Sequence, residues 1–274
     1  MDIKKEHAIG ILDSGVGGLT VAKEVMRQLP QEAIIYLGDT KRCPYGPRTK
    51  EEVKKFTLEI VHFLSQFPLK ALVIACNTAT AAALHEVRLQ IPIPVLGVIK
   101  PGVRAAIKAT KQHRIGVIGT QGTIQSQAYE QALKRIHPEI EVYSVACPQF
   151  APLVENGLHQ SELAEKVVAE GLAPFQNISI DTLILGCTHY PLLAESIAKV
   201  MGEKVEIISS AEETAAELST ILQHQSLLAY DYTPDHHFFT TGDPHSFKKI
   251  AETWLGQTIK IEQARLEPVQ KISF

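Results

Sequence analysis

Two cysteines occupy matching positions in the two halves of this 274-residue chain. Cys76 follows the apolar run Leu72–Ala75, and Cys187 follows the apolar run Leu183–Gly186. Each cysteine is therefore predicted to lie where a buried strand gives way to a helix. A thiol can donate a proton and a thiolate can accept one, so this pair is suited to acid–base chemistry on two faces of one substrate.

The predicted helix starts add electrostatic character to both thiols. Asn77 or Thr78 is predicted to cap a helix over residues 79–87, and Thr188 to cap a helix with Pro191 in its first turn. Free amide N–H groups and the positive end of a helix dipole favour thiolates and carboxylates. We therefore expect a lowered pKa for both thiols, and a carboxylate-binding site formed by the same backbone. Taken singly, either cysteine could instead be a small apolar residue packed at a strand end.

A glycine-rich segment, Asp13–Gly18, follows the first predicted strand. Its spacing does not fit the dinucleotide-binding pattern Gly-x-Gly-x-x-Gly, because position 20 is threonine. We expect a tight turn through which a small ligand approaches the backbone. A buried Asp13 would need a partner, either a protonated amine or a catalytic thiol, unless it caps a helix. His189 could tune the Cys187 thiol or relay its proton, because imidazole titrates near neutral pH.

Composition narrows the class of protein. The net charge is −3 and 45% of residues are hydrophobic, which predicts a folded globular protein and argues against a nucleic-acid partner. We find neither a signal peptide nor an apolar run long enough to span a membrane, and we expect a cytoplasmic protein. The four cysteines, at positions 43, 76, 147 and 187, lack the paired spacing of a structural zinc site. We predict no metal site, and we interpret Cys43 and Cys147 as turn or packing residues.

Short apolar runs alternate with longer helical patterns, which predicts parallel α/β sheets covered on both faces by helices. The segment Ile9–Gly15 is echoed by Ile115–Gly122, and Cys43-Pro44 by Cys147-Pro148. We therefore predict two similar α/β domains related by pseudo-twofold symmetry, with the active site in the cleft between them. The first domain is predicted to comprise residues 1–97 plus 209–274, and the second residues 98–208. The predicted strands are Ala8–Leu12, Ile34–Leu37, Ala71–Ala75, Val95–Val98, Arg114–Ile118, Glu141–Ala146, Thr182–Leu185, Val205–Ile208 and Phe238–Thr240.

Five motifs occur together and in order over nearly the whole chain. They are Asp13-Ser-Gly-Val-Gly-Gly18, Pro44-Tyr-Gly46, Ala75-Cys-Asn-Thr78, Gly186-Cys-Thr-His189 and Thr241-Gly-Asp243. In this set the chain resembles the glutamate racemases. The related aspartate racemases typically have an acidic residue where this chain has His189.

The resemblance implies a cofactor-independent interconversion of L- and D-glutamate that supplies D-glutamate for peptidoglycan. It implies that Cys76 and Cys187 are the acid–base residues, assisted by Asp13 and His189 respectively. It also implies a homodimer and, because the first strand begins near residue 8, no activation by a peptidoglycan precursor. The residues it implies for binding the carboxylates and the amine are Asp13, Ser14, Tyr45, Gly46, Asn77, Thr78, Thr123, Thr188 and His189.

Three other activities remain open from the residues. A redox dithiol would require Cys76 and Cys187 to approach within about 7 Å between Cα atoms. A binding module for an acidic ligand would hold glutamate without exchanging its α-proton. A racemase could also act on another acidic amino acid, such as aspartate. A pyridoxal enzyme is disfavoured because no lysine lies in a glycine-rich strand-end segment.

Overall fold

The computed structural model describes residues 3–269 and contains two parallel β-sheets with helices on both faces. In chain order, the strands are β1 Ala8–Asp13, β2 Ile34–Gly38, β3 Leu69–Ile74, β4 Val95–Gly97, β5 Arg114–Gly119, β6 Glu141–Ala146, β7 Thr182–Gly186, β8 Glu206–Ser209, β9 His237–Thr240 and β10 Ile261–Gln263. The helices are α1 Leu19–Gln28, α2 Lys50–Leu64, α3 Asn77–Gln90, α4 Ile99–Ala109, α5 Gln121–Gln125, α6 Ala128–Ile136, α7 Phe150–Glu155, α8 Glu162–Leu172, α9 Ala194–Met201, α10 Ser210–His224 and α11 Pro244–Leu255. Two short 3₁₀ turns span Ala173–Phe175 and Tyr190–Leu193.

Four neighbouring strands of the first sheet have the same order as the four strands of the second sheet. The first is β10-β9-β2-β1-β3-β4 and the second is β6-β5-β7-β8, with parallel pairing throughout. The block β2-β1-β3-β4 therefore has the same topology as β6-β5-β7-β8. In this correspondence β3, which precedes Cys76, matches β7, which precedes Cys187. The predicted pair of similar parallel α/β domains is confirmed.

Burial explains why the strands read as continuous apolar runs. Every residue of β1, β2 and β3 is buried, because helices cover both faces of the first sheet. Two apolar clusters flank this sheet, and two more flank the second. The helices are set by local signals as well; for example, Thr49 and Glu52 form a reciprocal capping box at the start of α2.

The C-terminal segment differs from its prediction. Residues 261–263 form β10, which pairs in parallel with β9, although the sequence predicted no strand after Phe238–Thr240. The predicted domain boundaries stay a prediction, and residues 1–2 and 270–274 of the predicted first domain lie outside the described residues. Among residues 3–269, no helix combines the length and the apolar character needed to cross a lipid bilayer.

Candidate active site

A small cavity lies where strand ends of the two sheets meet. Its volume is about 10 Å³, which is room for about one water molecule. Cys76, just beyond β3, lines one side, and Cys187, just beyond β7, lines another. The other lining residues are Ser14, Cys43, Pro44, Tyr45, Gly46, Asn77, Thr78, Thr120, Ala151, Thr188 and His189.

Cys76 is itself the N-cap of α3. Its Sγ accepts a hydrogen bond from the Ala79 amide at 3.4 Å and lies 3.6 Å from Ser14 Oγ. Burial, reinforced by the nearby Asp13 carboxylate, raises the pKa of Cys76 to about 12. The predicted lowering of this pKa is therefore wrong, because loss of solvation outweighs one amide hydrogen bond. The prediction that Asn77 or Thr78 caps the helix is also wrong, because the helix already includes both residues.

Cys187 has a different set of neighbours. Its Sγ lies 3.5 Å from His189 Nδ1, and His189 Nε2 lies 2.5 Å from Glu155 Oε1. Burial by itself would lower the pKa of His189, but its hydrogen bonds with Cys187 and Glu155 prevail and the pKa lies well above its ordinary value. Burial likewise disfavours the Glu155 carboxylate, yet the hydrogen bond from His189 keeps the pKa of Glu155 low. This raised pKa favours the imidazolium form of His189, in which one ring N–H faces Sγ and the other faces Glu155.

Asp13, predicted as a substrate-binding residue, lies behind the cavity wall and not among its lining residues, where it contacts both halves of the chain. It is fully buried, and its carboxylate accepts hydrogen bonds from the Gly15 amide at 2.9 Å and the Thr188 hydroxyl at 3.1 Å. Burial raises the pKa of Asp13 above its ordinary value, although the charge of His189 opposes this shift. Thr188 is thus engaged with Asp13 and caps no helix, and Cys187 is followed by the 3₁₀ turn Tyr190–Leu193.

The glycines after Asp13 admit side chains from the other half of the chain. A Cβ on Gly17 would lie 2.5 Å from both His189 Nδ1 and Thr188 Oγ1, and a Cβ on Gly15 would lie 2.4 Å from Glu155 Oε1. The sequence predicted a turn that a small ligand approaches. The missing Cβ atoms make room for His189, Thr188 and Glu155, and the approach of a ligand to this turn stays a prediction.

An amide donor stands free at the N-terminus of α3. Asn77 Oδ1 accepts a hydrogen bond from the Tyr129 hydroxyl at 2.6 Å, whereas Asn77 Nδ2 is buried without a hydrogen-bond partner among the described residues. Such an unsatisfied donor fits a carboxylate ligand. Close by, the hydroxyls of Thr78, Thr120 and Thr123 lie 2.8–3.2 Å from one another. Thr123 therefore supports Thr78 from behind and does not itself line the cavity.

Tyr45 and Gly46 contribute the remaining part of the wall. The Tyr45 hydroxyl donates to Asp39 Oδ2 at 2.5 Å, which fixes the ring at the cavity. The Gly46 carbonyl accepts a hydrogen bond from the Gly122 amide at 3.0 Å, and a Cβ on Gly46 would lie 2.7 Å from Thr120 Cβ. Gly46 thus permits the two halves to touch.

Donor atoms of Cys43, Glu155 and His189 lie within 4.8 Å of one another, close enough for a metal ion to bridge them. Two of the three are already joined by the imidazole–carboxylate hydrogen bond. The Cys43 thiol lies 3.5 Å from the same Glu155 oxygen. Cys43 therefore borders the cavity, whereas the sequence indicated a turn or packing role.

Comparison with known proteins decides the family. The sequence profile of the Asp/Glu/Hydantoin racemase family matches residues 9–218. The chain belongs to this family. A protein named glutamate racemase from Bacillus cereus is 57% identical over 259 residues, covering 94% of this chain and 96% of its own length.

Solved structures of this racemase family agree with the assignment. A crystal structure of a Bacillus anthracis glutamate racemase isoform, RacE1, superposes with a TM-score of 0.93 at 58% identity, covering 97% of this chain and all of that one. A Francisella tularensis glutamate racemase in complex with D-glutamate gives a TM-score of 0.90 at 37% identity, covering 96% and 99%. The predicted resemblance to the glutamate racemases and the prediction of an isomerase are confirmed.

Sequence reasoning in this racemase missed two residues beside the cavity. Glu155 lies at the end of α7, where no strand end marks it, so only the fold reveals its contact with His189. Thr120 lies in the segment that echoes the glycine-rich turn after Asp13, and that repeat could have indicated it. The catalytic and binding roles assigned from sequence stay predictions.

Proposed function

We propose that this racemase interconverts L- and D-glutamate without a cofactor, using Cys76 and Cys187 as its two bases. One observation carries the proposal: thiols that follow equivalent strands of two similar sheets line a single cavity. Racemisation removes a proton from one face of Cα and returns a proton to the other, and two bases from different walls meet that requirement. The names of the most similar relatives support glutamate as the substrate.

The cavity offers suitable partners for a glutamate carboxylate. The buried Nδ2 of Asn77, the hydroxyls of Ser14 and Thr78 and the first amides of α3 can each donate a hydrogen bond. Among the described lining residues there is no lysine, so a Schiff base with a cavity residue lacks its nitrogen. Thr188 lines the cavity and is held by Asp13, so it can orient the substrate amine.

The proposed proton transfers start from the different environments of the two thiols. With L-glutamate bound, the Cys187 thiolate, stabilised by the His189 cation, takes the α-proton and becomes a thiol. The Cys76 thiol then donates its proton to the opposite face of Cα, giving D-glutamate and a Cys76 thiolate. For D-glutamate the same steps run in reverse. Asp13 assists by favouring the protonated form of Cys76 until substrate arrives.

The cavity as it stands is too small for glutamate, because its volume matches about one water molecule. Substrate entry therefore requires the two halves to separate. The contacts that must part include Asp13 with Thr188, Thr78 with Thr120, and Gly46 with Gly122. Reclosure then excludes water and strengthens every charge interaction around the carbanion.

Resemblance to the glutamate racemases also supports three wider parts of the proposal: a cytoplasmic location, supply of D-glutamate to peptidoglycan, and a homodimer. Complementation of a bacterium that requires D-glutamate tests the first two together. Rescue by the wild-type chain and failure by a Cys76→Ser variant would support them. Light scattering of the purified protein tests the dimer, and a monomeric mass over the working concentration range would contradict it.

Incubation with L-glutamate in deuterated water, without added cofactor, tests the reaction itself. We expect optical rotation to decay to zero, with α-deuterium entering the newly formed D-glutamate. L-Aspartate under identical conditions serves as the competing substrate and should react much more slowly. Glutamate binding with neither rotation loss nor exchange would replace the proposal with a binding or redox function.

A further inference from the structure

Three side chains beside the candidate active site bring a thiol, a carboxylate and an imidazole together. The donor atoms of Cys43, Glu155 and His189 lie within 4.8 Å of one another. Cys43 Sγ lies 3.5 Å from Glu155 Oε1, and His189 Nε2 lies 2.5 Å from the same oxygen. Sulfur, nitrogen and oxygen donors of these types are the ligands that zinc takes in proteins. The sequence predicted no metal site because these three residues lack paired spacing, and only the fold brings them together.

The spacing of the three donors is close to that of a tetrahedral zinc site. Zinc lies about 2.3 Å from sulfur and about 2.0–2.2 Å from nitrogen or oxygen, so its ligand atoms lie roughly 3.3–3.6 Å apart. The Cys43–Glu155 separation of 3.5 Å already fits this range. The His189–Glu155 separation of 2.5 Å must widen by roughly 0.8 Å, because the metal takes the place of the proton between these atoms. The fourth position remains for a water molecule.

Glu155 gives an ion both a path to the site and an oriented ligand. Its side chain is 22% exposed, whereas the His189 side chain is 3% exposed. An ion can therefore arrive from the Glu155 side. Glu155 Oε1 also accepts a hydrogen bond from the Val16 amide at 3.2 Å, which orients the carboxylate. Partners of this kind hold metal ligands in place and strengthen metal binding.

The charges around the site favour a divalent cation. Burial, reinforced by the Glu155 and Asp13 carboxylates, raises the pKa of Cys43 above its ordinary value, so the thiol by itself keeps its proton. A bound metal cation reverses this preference, because it stabilises the thiolate that coordinates it. The same two carboxylates that oppose a thiolate attract the cation that would stabilise one.

The three donors come from both halves of the chain. Cys43 follows β2 of the first sheet, whereas Glu155 ends α7 and His189 follows β7, both in the part of the chain that forms the second sheet. We propose that a zinc ion binds to Cys43 Sγ, Glu155 Oε1 and His189 Nε2, joins the two halves and inhibits the racemase. Binding releases the protons of Cys43 Sγ and His189 Nε2 to solvent. Because glutamate entry requires the halves to separate, metal and substrate exclude each other. This inhibition, unlike the binding, rests on the proposed racemisation.

Calorimetry with zinc chloride and absorption spectroscopy with cobalt(II) chloride test the binding. We expect saturable zinc binding, and a near-ultraviolet charge-transfer band that reports a cobalt-bound thiolate. Cys43→Ser should abolish the band and weaken zinc binding by roughly 10–100-fold or more, because even the partners that orient metal ligands contribute that much. The matched control is Cys147→Ser, which removes another buried thiol and should leave both readouts unchanged.

Carboxylate variants provide a second test that keeps all four thiols. Glu155→Gln should weaken zinc binding by a similar factor, whereas Glu165→Gln, which removes an exposed carboxylate elsewhere, should not. Cys76→Ser and Cys187→Ser should keep the cobalt band, because the proposed ligands include neither of the proposed bases. Absence of saturable binding, a band that survives in Cys43→Ser, or a band that is lost in Cys76→Ser or Cys187→Ser would overturn the site.

Kinetics test the consequence for the reaction. Zinc should inhibit L-glutamate racemisation competitively with glutamate, and a chelator should restore the activity. Each variant is compared with its own metal-free rate, and the inhibition constant should rise in Cys43→Ser in parallel with its loss of binding and stay unchanged in Cys147→Ser. Zinc binding without inhibition would overturn the link to the reaction. The calorimetry and the spectra need no turnover, so failure of the metal-free wild type to racemise glutamate would contradict the proposed function alone.

Discussion

The two walls of the candidate active-site cavity have the same topology and different chemistry. Cys76 follows β3 and Cys187 follows β7. These are the corresponding strands of the blocks β2-β1-β3-β4 and β6-β5-β7-β8. Cys76 then caps the 14-residue helix α3; its Sγ accepts a hydrogen bond from the Ala79 amide and its thiol donates one to the Ser14 hydroxyl oxygen. Cys187 is followed by a 3₁₀ turn and contacts His189, which Glu155 holds in its charged form. Topology places the thiols in equivalent positions, and their neighbours make them unequal.

In the proposed two-base reaction, this inequality would set the protonation state from which L-glutamate is deprotonated. A buried thiol with no cationic partner and a carboxylate nearby keeps its proton, and this is the state of Cys76. The proposal assigns the thiolate to Cys187, whose Sγ lies 3.5 Å from His189 Nδ1. The proposed two-base reaction needs one of each.

The largest expected effect comes from removing either base. Cys76→Ser and Cys187→Ser should each lower kcat/KM by roughly 10³-fold or more, because a serine hydroxyl is far too weak an acid to exchange protons with Cα at neutral pH. Circular dichroism of both reaction directions provides the measurement. The two directions must fall equally, since the enantiomers have equal free energy and the equilibrium constant is one.

Cys147→Ser is the matched control for these substitutions. Cys147 is buried against the carbonyl of Gly171, outside the catalytic cavity, and its replacement should leave kcat/KM within a few-fold of wild type. Full racemisation by either Cys76→Ser or Cys187→Ser would contradict the two-base assignment.

The next largest effect should distinguish the two walls, because the substitution acts on the Cys187 side alone. Glu155→Gln keeps the shape of the side chain and removes its charge, so the pKa of His189 should fall toward its ordinary value. The alkaline limb of the pH profile should then move to lower pH, because His189 loses its proton earlier. At neutral pH we expect kcat/KM to fall roughly 10–100-fold.

The isotope effect assigns that loss to one wall. Slower proton transfer at Cys187 should raise the primary isotope effect with α-deuterated L-glutamate and lower it with α-deuterated D-glutamate. Glu165→Gln, at an exposed ion pair with Lys199, is the matched control and should change neither the profile nor the isotope effects. Isotope effects that stay at their wild-type values for both enantiomers would show that Glu155 does not act through Cys187.

The contrast between the walls also explains what sequence could and could not predict. Strand runs and their order follow from local composition, so the sheets and both cysteines were predictable. The short β10 was missed because its pairing with β9 depends on a tertiary contact. The raised pKa of Cys76 was missed because helix-end polarity is visible in sequence, whereas burial and Asp13 are not. Glu155 was left out for a similar reason, since only folding brings α7 to His189.

A smaller effect is expected from a substitution whose new side chain pushes the two walls of the cavity apart. In Gly17→Ala the new Cβ would meet His189 Nδ1 and Thr188 Oγ1 at 2.5 Å, so the second wall must shift. We expect the free energy of unfolding to fall by ~1–3 kcal/mol and kcat/KM to fall roughly tenfold through misplacement of Cys187. Chemical denaturation measures the free energy of unfolding, and steady-state kinetics measure kcat/KM. Gly102→Ala, whose Cβ would approach no neighbour closer than 3.2 Å, is the control and should retain activity.

The smallest expected effect concerns the hydrogen bond between Tyr129 and Asn77. It joins the two walls and takes no part in the proposed proton transfer. Tyr129→Phe removes the hydroxyl that holds Asn77 Oδ1 at 2.6 Å, and the amide is then free to turn its Nδ2 away from the cavity. Loss of one buried hydrogen bond corresponds to about 1 kcal/mol, or roughly a fivefold rise in KM for glutamate. The alkaline limb of the pH profile should not move, because the Cys187–His189–Glu155 contacts are untouched. An unchanged KM would show that Asn77 keeps its orientation without Tyr129, and a shifted pH profile would show that the two walls are electrostatically coupled through this residue.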